Sequence, residues 1–271
     1  MTTTIVTGGA SGIGAAVAVE LVARGDTVIL ADVNAAGAAE TAERLTGIGP
    51  GKAFGTALDV TDADAVRELY ERVARDNGGL DLVFNNAGIA VAGLAEELTL
   101  DHWNRAIDIN LRGVVHGQDA AYRIMLAQGH GHIVNTASLA GLVPMPIGLP
   151  YTATKHAVVG MSLALRAEAA TRGVRVSAVC PGFVATNLLR TVNAGLPETG
   201  MSSKPDTELP KIYTADKLSK VIIRGVRRNK AVIVAPAYGR LAWLGARLFP
   251  SGAVRAARLA ADGYRKDQPK P

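Results

Sequence analysis

A chain of 271 residues with 48% hydrophobic content can bury one large core, which fits a single α/β domain better than two small ones. Its one cysteine, Cys180, rules out an internal disulfide framework and suits a reducing compartment; following an apolar run and preceding Pro181, it reads as a buried structural thiol. The net charge of +5 is uneven, since residues 1–236 hold 22 basic and 22 acidic side chains and residues 237–271 hold 7 and 2, and a balanced body without nucleic-acid motifs argues against nucleic-acid binding.

Residues 3–7 read as a short, buried, β-branched strand at the very start of the chain, so no signal peptide is expected and a cytoplasmic location is. No apolar run reaches the roughly 18 residues that a membrane-spanning helix needs. The strand runs into Gly8-Gly9-Ala10-Ser11-Gly12-Ile13-Gly14 and then a helical stretch, with Ser11 at the N-cap position. A strand, a glycine turn and a helix N-terminus together offer backbone N–H groups and the helix dipole to an anion. The spacing G-x-x-x-G-x-G is a variant of the dinucleotide turn.

Residues 27–31 form the next strand, and Asp32 stands at its C-terminal end. An acid about 20 residues beyond the turn is placed to accept hydrogen bonds from an adenosine ribose. The same carboxylate repels a 2′-phosphate, and neither Ser11 nor Val33 is basic, so NAD is expected and NADP less so. Alternatively, Asp32 starts a helix. Strand and helix then alternate: a strand at 52–58, a helix from about 62 to 76 with Thr61 and Asp64 as its capping pair, and a strand at 80–84. Asp59-Val60 and Asn85-Asn86-Ala87-Gly88 follow two of these strands, at the end where open α/β sheets bind ligands.

One long helix is predicted over 103–128, containing Asn110, and a strand over 132–136 leading to Ser138. Tyr151 and Lys155 lie one turn apart on the following helix, on one face. An ammonium beside a phenol favours the phenolate and lowers its pKa of about 10 towards the range useful for acid–base work. Strand 175–180, a helix at 216–228 and strand 231–234 complete seven strands. The expectation is a doubly wound sheet of mainly parallel strands with helices on both faces.

These motifs, in this order, resemble the short-chain dehydrogenase/reductase family in its single-domain form. Residues 7–14 look like the family's cofactor turn, Asn85-Asn86-Ala87-Gly88 like its central-strand motif, and Pro181-Gly182 with Thr186 like its nicotinamide-side motif. Asn110, Ser138, Tyr151 and Lys155 match its catalytic tetrad. The resemblance implies a Rossmann-type fold over about residues 1–236 and an NAD-dependent oxidoreductase that interconverts a secondary alcohol and its ketone. It implies that Tyr151 handles the hydroxyl proton, Lys155 lowers the phenol pKa and binds the nicotinamide ribose, Ser138 donates to the substrate oxygen, and Asn110 holds a relay water. Gly8, Ser11, Gly12, Ile13, Gly14, Asp32, Asp59, Val60, Asn86, Ala87, Gly88, Tyr151, Lys155, Pro181, Gly182, Val184 and Thr186 are the implied cofactor contacts. Taken singly, Ser138 also reads as a strand-end cap and Asn110 as a helix-distorting polar contact. A non-catalytic dinucleotide-binding regulator or scaffold is the alternative from another class; it would need none of the four catalytic residues together. The resemblance also implies a homodimer or homotetramer through the helices at 103–128 and 151–171.

His102, His116, His130, His132 and His156 show no metal-ligand spacing, and no catalytic metal is expected. Residues 139–150 carry no charge, a wall that favours an apolar substrate. Residues 187–213, with Pro197, Pro205 and Pro210, read as a mobile lid or a long surface loop. In the extension 237–271, Leu241, Leu244 and Leu248 follow an i, i+3, i+7 pattern on a basic amphipathic helix predicted over 240–249. Three uses are open to it: packing on the body or a sister subunit, covering an apolar substrate, or touching a membrane, the first being favoured.

Overall fold

The computed structural model describes residues 2–186, 188, 191–199 and 213–266. Seven strands form one sheet: β1 (Thr3–Thr7), β2 (Thr27–Asp32), β3 (Lys52–Ala57), β4 (Leu82–Asn85), β5 (Gly131–Thr136), β6 (Val174–Pro181) and β9 (Val232–Ala235). Their order is β3-β2-β1-β4-β5-β6-β9, and every pairing is parallel. A separate two-stranded ribbon pairs β7 (Val184–Ala185) with β8 (Tyr213–Thr214).

Helices cover both faces because successive strand side chains point opposite ways. Val6, Val28 and Leu30 pack with α1 (Gly12–Val22) and α7 (Ala215–Arg227) in one apolar layer. Their neighbours Ile5, Ile29 and Ala31 pack with α3 (Ala63–Asn77) and α5 (Gly113–Gln128) in another. A third cluster joins α6 (Leu149–Ala169) to β6 and β9 through Val158, Ala178, Cys180 and Val234. The strand order reverses between β1 and β4, which makes their C-terminal ends the crevice where doubly wound sheets hold ligands.

Most boundaries fall within two residues of expectation, but two readings need correction. The cap of α3 is Asp62, whose carboxylate accepts from Asp64 N and Ala65 N at 3.0 Å; Thr61 instead donates to Asp59. The long helix begins at α4 (Leu100–Ile107) and passes through a π-helical turn at Asp108–Arg112 before α5, with Gly113 N–H reaching Asp108 O. The helix expected over 240–249 is α8 (Ala237–Leu248), and a second helix beyond that expectation, α9 (Pro250–Lys266), follows it. Of the expected lid, residues 187, 189, 190 and 200–212 lie outside the described residues, including Pro205 and Pro210.

Candidate active site

The glycine turn is built for close approach. Gly8 and Gly12 have φ of +65° and +57°, which disfavour any side chain. A Cβ on Gly14 would lie 2.2 Å from Gly8 O, so the turn can close on α1 only with glycine there. Ser11 occupies the N-cap of α1, yet its hydroxyl makes no capping bond and is exposed, as is fitting where N–H groups await an anion. Ile13 packs its side chain on the apolar layer below, so it can offer only backbone. Thr186 stands over the turn, its Cγ2 3.3 Å from a Cβ built on Gly12.

Asp32 ends β2 with Oδ2 accepting from Ala10 N at 3.0 Å and Oδ1 from Asn34 N at 2.9 Å. It therefore braces the glycine turn, and its remaining acceptor positions are what a ribose could use. The helix start belongs to Asn34, which caps α2 (Ala35–Leu45) by accepting from Gly37 N. Asp59 accepts from the Thr61 N–H and hydroxyl, which hold its carboxyl below the ordinary range. Val60 is buried, close against Gly113.

Across the crevice, Asn86 locks β4 to β1. Its Nδ2 donates to Thr7 O at 3.1 Å, while Thr7 Oγ1 accepts from Asn86 N and Ala87 N. A Cβ on Gly8 would meet Ala87 Cα at 2.9 Å, so the two motifs touch. Gly88 backs onto the chemistry: a Cβ there would lie 2.9 Å from Asn110 Oδ1 and 3.5 Å from Lys155 Nζ. On the far side Gly182 N donates to Ala235 O, and a Cβ on Gly182 would strike the Tyr238 hydroxyl at 2.5 Å. Pro181 ends β6, and Val184 turns its side chain into the core.

Asn110 is fully buried in the π-helical turn, its amide clamped on Ile89: Oδ1 accepts from Ile89 N at 2.8 Å and Nδ2 donates to Ile89 O at 3.0 Å. Ser138 follows β5, accepts from Ala140 N at 3.1 Å, donates to Pro181 O at 3.5 Å, and lies close enough to the Tyr151 phenol for its hydroxyl to favour the phenolate. Lys155 is buried, donates to Thr136 O at 2.9 Å, and holds Nζ 5.6 Å from the Tyr151 ring centre. An ammonium has three donors, so two remain for a bound ligand.

The electrostatics overturn one expectation. The Tyr151 phenol is raised above its ordinary value, not lowered, because burial outweighs the effect of the Ser138 hydroxyl. Burial likewise pulls the Lys155 ammonium down to about 8 and pushes the Cys180 thiol up to about 12, so Cys180 is an inert thiol. The low-dielectric floor penalises every charged form in it, and Lys155 alone does not reverse this for the phenol.

Sequence reasoning passed over several contributors. Thr136 supplies the carbonyl for Lys155 and a hydroxyl that donates to Asn86, but a backbone acceptor leaves no mark in a sequence. Beneath the crevice Tyr70, Asn85, Asn135, Gln118 and Ser162 form a buried hydrogen-bonded chain. Arg44 was also missed. It shares a groove of about 420 Å³ with Ser11, Gly12, Thr41 and Thr186, and its guanidinium donates to Thr41 Oγ1 at 2.8 Å. Among the described residues no group of acidic, His or Cys side chains is arranged to hold a metal, and no helix is long and apolar enough to cross a membrane.

Comparison with known proteins agrees with this architecture. The family model for short chain dehydrogenases matches residues 2–197. The probable oxidoreductase EphD of Mycobacterium tuberculosis is 34% identical over 264 residues, which are 94% of this chain and 44% of the relative, so the chain spans about half the length of that curated relative. A short-chain dehydrogenase/reductase from Burkholderia phymatum in complex with NAD superposes with TM-score 0.79 at 28% identity, covering 91% of this chain and 94% of the other. A short-chain dehydrogenase from Sphingobium yanoikuyae in complex with NADPH gives 0.78 at 26%, covering 100% and 97%. The chain belongs to the short-chain dehydrogenase/reductase family, a family of oxidoreductases that bind nicotinamide dinucleotides.

Proposed function

We propose that this member of the short-chain dehydrogenase family uses NAD to interconvert a fairly apolar secondary alcohol and its ketone, with Tyr151 as general acid and base. The observation that carries the reading is the convergence of half-buried Tyr151 and Ser138 on the buried Lys155 beside Gly88, at the end of the crevice that starts with the Gly8–Gly14 turn. The turn and the α1 N-terminus would hold the pyrophosphate, Asp32 the adenosine ribose, and Lys155 the nicotinamide ribose. A bound nicotinamide supplies the hydride acceptor or donor and, when oxidised, a positive charge near the phenol.

Within that frame Ser138 donates to the substrate oxygen and holds it at the phenol, so the proton passes between that oxygen and Tyr151 Oη. Lys155 offsets part of the cost of a phenolate in the buried floor, and Asn110 with the π-helical turn would seat the water through which the ammonium exchanges protons with solvent. The uncharged 139–150 wall, with half-buried Leu142 and Val143 packed against the third cluster, favours an apolar substrate. Exposed Val115 and Leu163 on α5 and α6 support a homodimer or homotetramer through those helices, in a cytoplasmic protein.

NADP is the second reading, and Arg44 favours it, because a guanidinium in the groove beside Ser11 could meet a 2′-phosphate. Asp32 opposes it. A screen of alcohols and ketones against both cofactors, followed by reduced-nicotinamide absorbance, tests the proposal: turnover with NAD is expected. Absence of turnover with any pair would leave the non-catalytic dinucleotide-binding protein as the better account, and much tighter NADPH than NADH binding would reverse the cofactor assignment.

A further inference from the structure

A helix that lies on a protein body turns its apolar stripe inward. In α8 the inward side is taken instead by Gly239 and Trp243: Gly239 is buried against Val234 and Leu139, and Trp243 packs on the cluster that includes Leu142 and Val143. The leucine stripe consequently faces away from the body. Leu241, Leu244 and Leu248 are 73%, 54% and 62% exposed, and Phe249 at the corner into α9 is 70% exposed. Val254 and Leu259 of α9 are exposed as well. Seven of the sixteen large apolar side chains exposed among the described residues thus fall between positions 238 and 259. Single exposed leucines need no explanation, but a concentration of this kind marks a contact surface.

Charge identifies the partner. The chain's entire basic excess sits in residues 237–271, the segment that carries these apolar residues. Some of it is compensated on the protein: Arg265 pairs with Glu96 and Arg258 with Asp262. Arg240 and Arg247 are different. They lie together along one flank of the leucine stripe, Arg240 donating to Val234 O and Arg247 over the Trp243 ring. Among the described residues neither they nor Arg255 forms an ion pair with an acid. Two copies meeting through this face would oppose like charges. Against an anionic lipid surface the arginines are attracted and the leucines enter the acyl boundary, which is the composition of a helix that lies in a bilayer interface.

We infer that the α8–α9 face docks on an anionic lipid bilayer, beyond anything the oxidoreductase reading requires. The extension has several contacts with the body. Arg265 fixes α9 to Glu96, Tyr264 is buried, and the Tyr238 hydroxyl accepts from Phe183 N beside the nicotinamide-side loop. Since the inward side of α8 rests on Leu139, next to Ser138, docking would hold the catalytic domain close to the membrane surface, where an apolar substrate concentrates.

The test is co-sedimentation of the full chain with vesicles of phosphatidylcholine alone or mixed with phosphatidylglycerol. Binding to the anionic vesicles, weakened by salt and absent from the neutral ones, is expected. The double variant Leu244→Glu, Leu248→Glu should lose it at least about tenfold, and Arg247→Gln about fivefold. Both change exposed positions, and circular dichroism checks that they fold. Failure to bind either vesicle, equal binding to both, or binding indifferent to the leucine variant overturns the inference. So does a leucine variant that, without lipid, halves the assembly size in sedimentation velocity, because the occupant would then be a second copy. Vesicle binding by a catalytically dead Tyr151→Phe protein separates this question from the enzymatic one.

Discussion

Helices α6 and α8 lie on the same third core cluster, and they treat their exceptional residues in opposite ways. In α6 the polar groups go inside, each with a partner: Lys155 donates to Thr136 O, Thr154 to Pro150 O and Ser162 to Val158 O. In α8 the apolar groups go outside, and Leu241, Leu244 and Leu248 meet no core. Burying an ammonium and exposing a leucine stripe both work against stability. The difference teaches where to look for a use: in α6 it is the proposed acid–base chemistry, which needs a dry floor; in α8 it is the proposed contact with a surface outside the chain.

The sharpest way to break the comparison is on the α6 side. Tyr151→Phe should keep the fold and NADH binding yet lower turnover by on the order of 10³-fold, measured by steady-state kinetics and fluorescence titration of the cofactor. Most of the activity surviving would remove the base. Lys155→Met should also cost turnover, and it carries a signature in stability. A folded pKa of about 8 against an ordinary 10.5 means that the unfolded chain binds more protons between those values. Wild-type stability should therefore rise from pH 8 towards 10 relative to the methionine variant, in paired denaturant titrations. The raised Cys180 thiol, from an ordinary 9 to about 12, and the raised Tyr151 phenol, above pH 10, act with the opposite sign, but both are present in the methionine variant, so the difference between the two proteins reads the lysine.

The α8 side is sharpened by contrast with a true core position. Met125→Ala, fully buried, should cost roughly 2–5 kcal/mol, whereas Leu248→Gln should stay within about 0.5 kcal/mol, both by urea denaturation. A large loss for Leu248→Gln would mean that the stripe is packed in solution. The smallest effect concerns the cofactor. Arg44→Ala should weaken NADPH binding several-fold and leave NADH nearly unchanged; equal effects on both would remove Arg44 from the 2′-phosphate question.

Much of this was legible in the sequence because glycine turns and β-branched runs are local signals. The strands, their parallel pairing and the placing of Gly8–Gly14 and Asn86 at strand C-terminal ends follow from the alternation of elements, whereas the strand order that brings the two motifs together does not. What escaped was set by tertiary context. The π-helical turn around Asn110 has the same residue types as an ordinary helix, and Asp62 won the cap of α3 from Thr61 by geometry. The leucine pattern in α8 predicted amphipathicity correctly, but not which face meets the body, since Gly239 and Trp243 decide that through close packing. The direction of the Tyr151 shift was missed for a similar reason: spacing reveals a nearby ammonium but not the burial that opposes it.

The central claim is that Tyr151 is the ionising group in turnover, and the pH dependence of alcohol oxidation tests it most directly. The account predicts that kcat rises with pH through one ionisation in the wild-type enzyme, and that the residual activity of Tyr151→Phe lacks this rise. An identical pH profile in the variant would contradict it.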